Sequence, residues 1–154
     1  MNYFVTGGTG FLGHNLIDCL LRRKGVIYVL VRPGSKAKLD SLKARWGEEG
    51  KRVIGVTGDL SKPNLGMSSV QRKKLEGSIL HVFHLAAIYD LKADAASQEL
   101  ANIGGTVNAV GFAKSVKAKR FHHVSSIAAA GSPARRAMSP RKKGTSGSSS
   151  PTRS

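Results

Sequence analysis

Thr6-Gly7-Gly8-Thr9-Gly10-Phe11-Leu12-Gly13 is the stretch whose reading decides the fold. Gly7, Gly10 and Gly13 recur at three-residue intervals, directly after the apolar run Tyr3-Phe4-Val5. Directly after them, Leu12, Leu16, Cys19 and Leu20 fall on one helical face, with Ile17 and Leu21 flanking it. Strand, glycine turn and helix in this order open a βαβ unit. One glycine makes the tight turn, one lets backbone N–H groups approach a pyrophosphate, and one lets the helix pack close to the strand. The helix N-terminus then faces the phosphates. A glycine-rich turn without a ligand is the bland alternative. The flanking strands and helix sit where a βαβ unit needs them, and that favours dinucleotide binding.

Outward from the loop, apolar runs alternate with helical patterns. Strands are expected at Tyr3 to Val5, Val26 to Val31, Val53 to Val56, Ile79 to Leu85 and Phe121 to Ser125. Helices are expected at Lys36 to Trp46, around Val70 to Glu76, and at Ser97 to Val116, the last interrupted by Gly104-Gly105. Five strands joined by helices imply an α/β fold, an open, doubly wound parallel sheet of Rossmann type. Its ligand is expected at the strand C-termini, near the switch point between the first and fourth strands.

Composition narrows the class. The chain has 154 residues, 25 Lys and Arg against 9 Asp and Glu, and a formal charge of +16. At 40% hydrophobic residues it is too apolar to be disordered throughout. No apolar run reaches the roughly 18 to 20 residues of a membrane span. Met1 to Thr6 carry no basic leader region, so a cytoplasmic location is expected. A single cysteine, Cys19, excludes an internal disulfide and a thiolate metal cluster, and its place on the apolar face predicts a buried, inert thiol. The two histidine pairs, His81 with His84 and His122 with His123, are poorly spaced on strands to share an ion, so no metal site is expected. Trp46 reads as a packing residue at a helix end, and Arg22-Arg23-Lys24 as helix C-terminal charge stopped by Gly25.

The charge is also unevenly spread. All nine acidic residues precede Gly131, and from Gly131 to Ser154 six basic residues accompany 15 Ser, Pro, Gly or Thr among 24. Residues 1–131 are therefore expected to form the nucleotide-binding domain and residues 132–154 a disordered basic tail. The Ser139-Pro140-Arg141-Lys142-Lys143 run leaves open a non-catalytic nucleic-acid-binding role. The absence of aromatic residues for stacking counts against it.

The end of the second strand decides which dinucleotide is preferred. An Asp or Glu there would accept hydrogen bonds from a ribose 2′-hydroxyl, whereas this chain reads Val31-Arg32-Pro33-Gly34-Ser35-Lys36. Arg32 matches a 2′-phosphate, with Ser35 and Lys36 adding a donor and a second charge, so NADPH is expected over NADH. The alternative is a solvated strand-end arginine in a basic chain.

Together these residues resemble the extended short-chain dehydrogenase/reductase family, and within it the acyl-thioester (fatty acyl-CoA) reductases. The resemblance covers residues 1 to about 131. Beyond the glycine loop it rests on Gly58-Asp59-Leu60-Ser61, Pro63 and Leu65-Gly66-Met67-Ser68. It continues through His84-Leu85-Ala86-Ala87-Ile88-Tyr89-Asp90-Leu91, Asn102-Ile103-Gly104-Gly105-Thr106 and His123-Val124-Ser125-Ser126-Ile127-Ala128. It implies that Gly7, Thr9, Gly10, Phe11, Leu12 and Gly13 hold the pyrophosphate region. By the same resemblance, Asp59 binds the adenine amino group and Leu60 packs on the ring. Leu85, Ala86 and Ala87 end the fourth strand beside ribose and pyrophosphate. Asn102 helps organise the active site, Ser125 is a structural neighbour, and the Ser126 hydroxyl is the catalytic group that polarises a substrate carbonyl. The implied reaction is NADPH-dependent reduction of a small-molecule acyl thioester to aldehyde or alcohol. A sugar-nucleotide epimerase or dehydratase, or a hydroxysteroid dehydrogenase, is the alternative within the family.

The family pattern then requires Tyr-x-x-x-Lys, the Tyr as proton donor and the Lys lowering its pKa. Tyr3, Tyr28 and Tyr89 are followed four residues on by Gly7, Arg32 and Ala93. With the Ser/Pro/Arg-rich tail, this leads to the expectation of a truncated or frameshifted, inactive product, aggregation-prone at its unpaired sheet edge and weak in NADPH binding.

Overall fold

The computed structural model describes residues 1–87 and 92–125. Five parallel strands form one sheet: β1 (Asn2–Thr6), β2 (Ile27–Val31), β3 (Val53–Thr57), β4 (Ile79–His84) and β5 (Arg120–His123). Their spatial order is β3-β2-β1-β4-β5, so the chain reverses direction across the sheet between β1 and β4. Four helices join them: α1 (Phe11–Leu20), α2 (Lys36–Arg45), α3 (Ser69–Leu75) and α4 (Ala95–Ser115). The doubly wound α/β architecture expected from the sequence is the one found. Among the described residues no helix is long and apolar enough to cross a membrane.

Alternation along the strands sends side chains to two cores. On one face Tyr3, Val5, Val29 and Val31 pack with Ile17 and Leu20 of α1 and Leu39 of α2. On the other, Phe4 and Val82 pack with Leu75 of α3, Ala109 and Phe112 of α4 and Val116 just past its end, and the rings of Phe4 and Phe112 lie 4.4 Å apart. A strand buried on both faces reads as a continuous apolar run, which is why Tyr3-Phe4-Val5 is legible as one.

The helix ends use ordinary local chemistry. Ser68 and Gln71 form a reciprocal capping box on α3, and Asp94 caps α4 by accepting from the Ser97 N–H at 2.7 Å. Past the end of α1, the Arg52 guanidinium donates to the carbonyls of Leu21, Arg23 and Gly25 at 2.6–2.9 Å. It thereby satisfies carbonyls of the connection from α1 to β2.

Several expectations are corrected. Cys19 is exposed, and so is Leu12; the buried residues of α1 are Gly13, Ile17 and Leu20. Apolar type and burial part company here because α1 presses on the turn after β1 through a glycine, which carries no hydrophobic signal. The buried arc therefore centres on Gly13 and turns Leu12 and Cys19 away. Helix α1 also stops at Leu20, before the Arg22-Arg23-Lys24 run, so those charges lie in the connection to β2. Helix α4 runs through Gly104-Gly105 without a break. It is fastened from outside: Asn108 Nδ2 donates to the Leu60 carbonyl at 3.0 Å, and Thr106 Oγ1 contacts His84 at 3.2 Å. Strand β4 ends at His84 and β5 at His123, so Leu85 and Ser125 lie beyond the ladder. Trp46 packs against the α1/α2 core as expected and donates its indole N–H to Asp18.

Candidate dinucleotide site

The glycine loop is shaped by what its residues lack. Gly7 has φ +75°, and a Cβ there would come within 2.7 Å of the Ala86 nitrogen. At Gly13 a Cβ would lie 2.0 Å from the Gly7 carbonyl oxygen, so any larger residue collides with the turn itself. Gly10 is the N-cap of α1, and no side chain caps the helix. The first-turn N–H groups are thus left for an external acceptor, and an anion at that place gains from the helix dipole.

Facing the loop across the switch point is the end of β4, tied down by a buried polar chain. The Thr6 and His84 side chains are both buried. Thr6 Oγ1 accepts from the Ala86 N–H at 3.2 Å and meets His84 Nδ1 at 2.8 Å, while His84 Nε2 reaches Thr106 Oγ1 of α4. Burial, and then the neighbouring His123, push the His84 pKa down from 6.5 to about 4, so the ring is neutral at physiological pH. A neutral ring carries one N–H and one lone pair, which suits a linker between two hydroxyls. Sequence reasoning misses this structural part for His84, although a histidine within an apolar strand between two small-residue segments is an available signal.

These elements enclose a cleft of about 340 Å³ lined by Gly7, Thr9, Gly10, Leu30, Val31, Arg32, Ser35, Gly58, Leu60, Leu85, Ala86 and Ala87. Arg32 and Gly58 also border an adjoining hollow of about 590 Å³ whose walls include Asp59, Ser61 and Lys62. The structure thus brings together Gly7, Thr9, Gly10, Arg32, Ser35, Asp59, Leu60, Leu85, Ala86 and Ala87 around one continuous depression. Phe11 and Leu12 are exposed on the first turn of α1, outside the cleft lining. Gly13 acts from beneath as the contact between helix and loop, and Ser125 is exposed past β5. Ser126 and residues 88–91 lie outside the described residues, as does the 132–154 segment. Asn102 sits on α4, partly buried, with its amide donating to the Gln98 carbonyl at 2.9 Å.

The electrostatics of the depression favour a polyanion. Asp59 Oδ1 accepts from the Ser61 N–H and hydroxyl at 2.9 and 2.7 Å. These bonds, followed by the charges of Lys62 and Arg32, hold its carboxyl below the usual carboxylate range. One carboxylate therefore stands against two cations and an uncapped helix N-terminus. Lys62, three residues after Asp59, escapes sequence reasoning because it is one of many lysines in a basic chain. Its place beside Arg32 depends on the tight loop that follows β3. In that loop the Asp59 N–H donates to the Leu65 carbonyl at 2.8 Å, and Asn64 and Leu65 adopt φ of 52° and 58°. The fit to a dinucleotide is good: two cradles that a Cβ would fill, free helix N–H groups, and a cationic corner one strand away.

Comparison with known proteins agrees with this geometry. Residues 5–150 match the model of an NAD-binding family described as male sterility protein. A putative fatty acyl-CoA reductase of Drosophila melanogaster is 34% identical over 131 residues, covering 75% of this chain and 24% of that protein. The L-2-aminoadipate reductase large subunit of Penicillium chrysogenum is 34% identical over 137 residues, covering 82% of this chain and 10% of that one. Among solved structures, the terminal R domain from the myxalamid PKS-NRPS biosynthetic pathway superposes with a TM-score of 0.69 at 30% identity, over 82% of this chain and 35% of that one. The chain spans about a third or less of the length of each of these proteins.

Proposed function

Since the chain belongs to this male-sterility-type NAD-binding family of the extended short-chain dehydrogenase/reductases, we propose that it is the NADP(H)-binding portion of an acyl-thioester reductase. The observation that carries the reading is the joining of the glycine cradle to a cationic corner: Gly7 and Gly10 line one end of the cleft, and Arg32 lines both it and the hollow that contains Lys62. Loop and uncapped helix would hold the pyrophosphate. Arg32, with Ser35, would hold a 2′-phosphate through charge-assisted bonds. The remaining acceptor of Asp59, Oδ2, is available for an adenine amino group, with Leu60 under the ring. Leu85, Ala86 and Ala87 would line the path toward the nicotinamide.

When bound, the reduced nicotinamide supplies a hydride to an electrophilic carbon. For a thioester, charge then develops on the carbonyl oxygen, and the Ser126 hydroxyl is proposed to donate a hydrogen bond to it. The acyl-thioester class is supported by the relative named as a fatty acyl-CoA reductase. None of the three tyrosines of this chain has a lysine four residues later. These residues are therefore proposed to bind the dinucleotide without efficient turnover, because loss of a general acid costs roughly 10² to 10⁴ in rate.

The test mixes the purified chain with NADPH and a fatty acyl-CoA and follows both protein-bound nicotinamide fluorescence and aldehyde. Saturable binding with aldehyde formation near background is expected. Absence of saturable binding overturns the reading, and turnover of a sugar nucleotide or steroid in place of the thioester overturns the substrate class.

A further inference from the structure

The sheet face that carries Tyr3, Val5 and Phe83 also carries two imidazoles that the dinucleotide cleft does not use. His81 stands on β4 and His122 on β5. The register places Arg120 beside His81 and His122 beside Phe83, so the four side chains share one face. His81 Nδ1 and His122 Nε2 are hydrogen-bonded at 2.8 Å in a partly buried setting. Both rings are held by stacking: Tyr3 on His81 at 5.9 Å, and Phe83 on His122 at 4.5 Å between centroids. Weighing histidines along each strand separately misses this, because the close pair forms across strands, diagonally between neighbouring register positions.

We propose that His81 and His122 form a two-imidazole site for a borderline divalent transition-metal ion, Cu²⁺ foremost. Two nitrogens bound to one ion at about 2.0–2.1 Å lie roughly 2.9 Å apart at adjacent corners of a square plane and roughly 3.3 Å apart at a tetrahedral angle. The 2.8 Å separation of the present hydrogen bond is close to the square-planar edge, so the rings need to tilt toward a common point but not to move apart, and square-planar or tetragonal nitrogen coordination is the preference of Cu²⁺ and Ni²⁺. Among the described residues there is no group of three or more His, Cys, Asp or Glu that would hold a metal, so the protein supplies two donors and water completes the sphere. A nitrogen pair without carboxylates does not suit Ca²⁺ or Mg²⁺. On binding, whichever imidazole donates in the present hydrogen bond shifts its proton to its other ring nitrogen. Both rings then offer a lone pair and no proton is lost.

The surroundings favour the ligand form of the pair and limit the charge it accepts. Burial, His122, Arg120 and Arg23 all hold the His81 pKa below its ordinary value, which keeps the ring neutral. The same two arginines oppose an incoming cation, so affinity rests on chelation and on the stability order that places Cu²⁺ at the top.

The experiment titrates the full chain with Cu²⁺ and reads the electron paramagnetic resonance spectrum, beside the variants His81→Asn, His122→Asn and His14→Asn. One site with hyperfine splitting from two imidazole nitrogens is expected. His81→Asn and His122→Asn should each weaken Cu²⁺ binding tenfold or more, while His14→Asn, on α1, should leave it unchanged. Circular dichroism checks that the variants fold, and the nitrogen count in the unmodified chain tests the two-imidazole stoichiometry without any variant. A one-nitrogen spectrum, or unchanged affinity in both β4 and β5 variants, overturns the proposal.

Discussion

The loop after β1 and the loop after β3 meet at the same cleft, and the second carries side-chain bonds and backbone strain that the first does without. The first is built on missing side chains: Gly7 and Gly13 let backbone touch backbone, and a Cβ at either place would overlap a main-chain atom. The second keeps one such omission, since a Cβ at Gly58 would lie 2.5 Å from the Leu65 carbonyl oxygen, and adds side-chain bonds and strain to it. Ser61 is bound by Asp59, Leu65 is buried with φ 58°, and Asn64 precedes it with φ 52°. A loop made by omission fails when anything is added, whereas a loop held by bonds and strain fails by degrees as pieces are removed. That contrast orders the expected effects.

The largest effect is expected at Gly13. Gly13→Ala places a methyl group 2.0 Å from the Gly7 carbonyl oxygen. It should destabilise by about 4 kcal/mol, since neither helix nor turn has room to give. Urea denaturation of the variant checks this, and a loss under about 1 kcal/mol would show that the loop adapts.

Next comes the acid response of the link between the two sides of the cleft. His84 titrates at about 4 in the fold against an ordinary 6.5. In between, the unfolded chain binds a proton that the native ring refuses, so its full contribution is present above pH 6.5 and lost as pH falls toward 4. The loss amounts to roughly 3 kcal/mol across that window. Denaturation midpoints at successive pH values should show this slope in the wild type and a shallower one in His84→Gln.

A smaller and more diagnostic contrast lies at Leu65. Leu65→Ala should lose about 2 to 4 kcal/mol through the emptied core position. Glycine ordinarily costs more than alanine, but at φ 58° it relieves strain. Leu65→Gly should therefore be as stable as Leu65→Ala or better by about 1 kcal/mol. Glycine proving worse by the ordinary margin would remove strain from the description of this loop.

The same contrast explains what is legible in the sequence. The glycine loop is legible because its constraint is local: three residues at fixed spacing between a strand and a helix say what the backbone must do. The parallel sheet is legible in Tyr3-Phe4-Val5 and Val26 to Val31 because strands buried on both faces are continuous apolar runs. The α1 interface is easily misread because its central contact, Gly13, has no side chain for a hydrophobic pattern to register. The continuity of α4 through Gly104-Gly105 depends on Asn108 and Thr106 reaching residues 48 and 22 positions away, which no local pattern records. Lys62 and the His81–His122 pair stay hidden for the same reason: each becomes notable only when a second element is placed beside it.

Selection of a dinucleotide carrying a 2′-phosphate, proposed above for this cleft, is tested by the Kd for NADPH and NADH in the wild-type chain and in Arg32→Ala. NADPH is expected to bind at least about tenfold more tightly in the wild type, a difference of about 1.4 kcal/mol. Arg32→Ala should erase most of that preference while leaving NADH nearly unaffected. Equal affinities in the wild type, or a preference for NADPH that survives the loss of Arg32, would contradict the account.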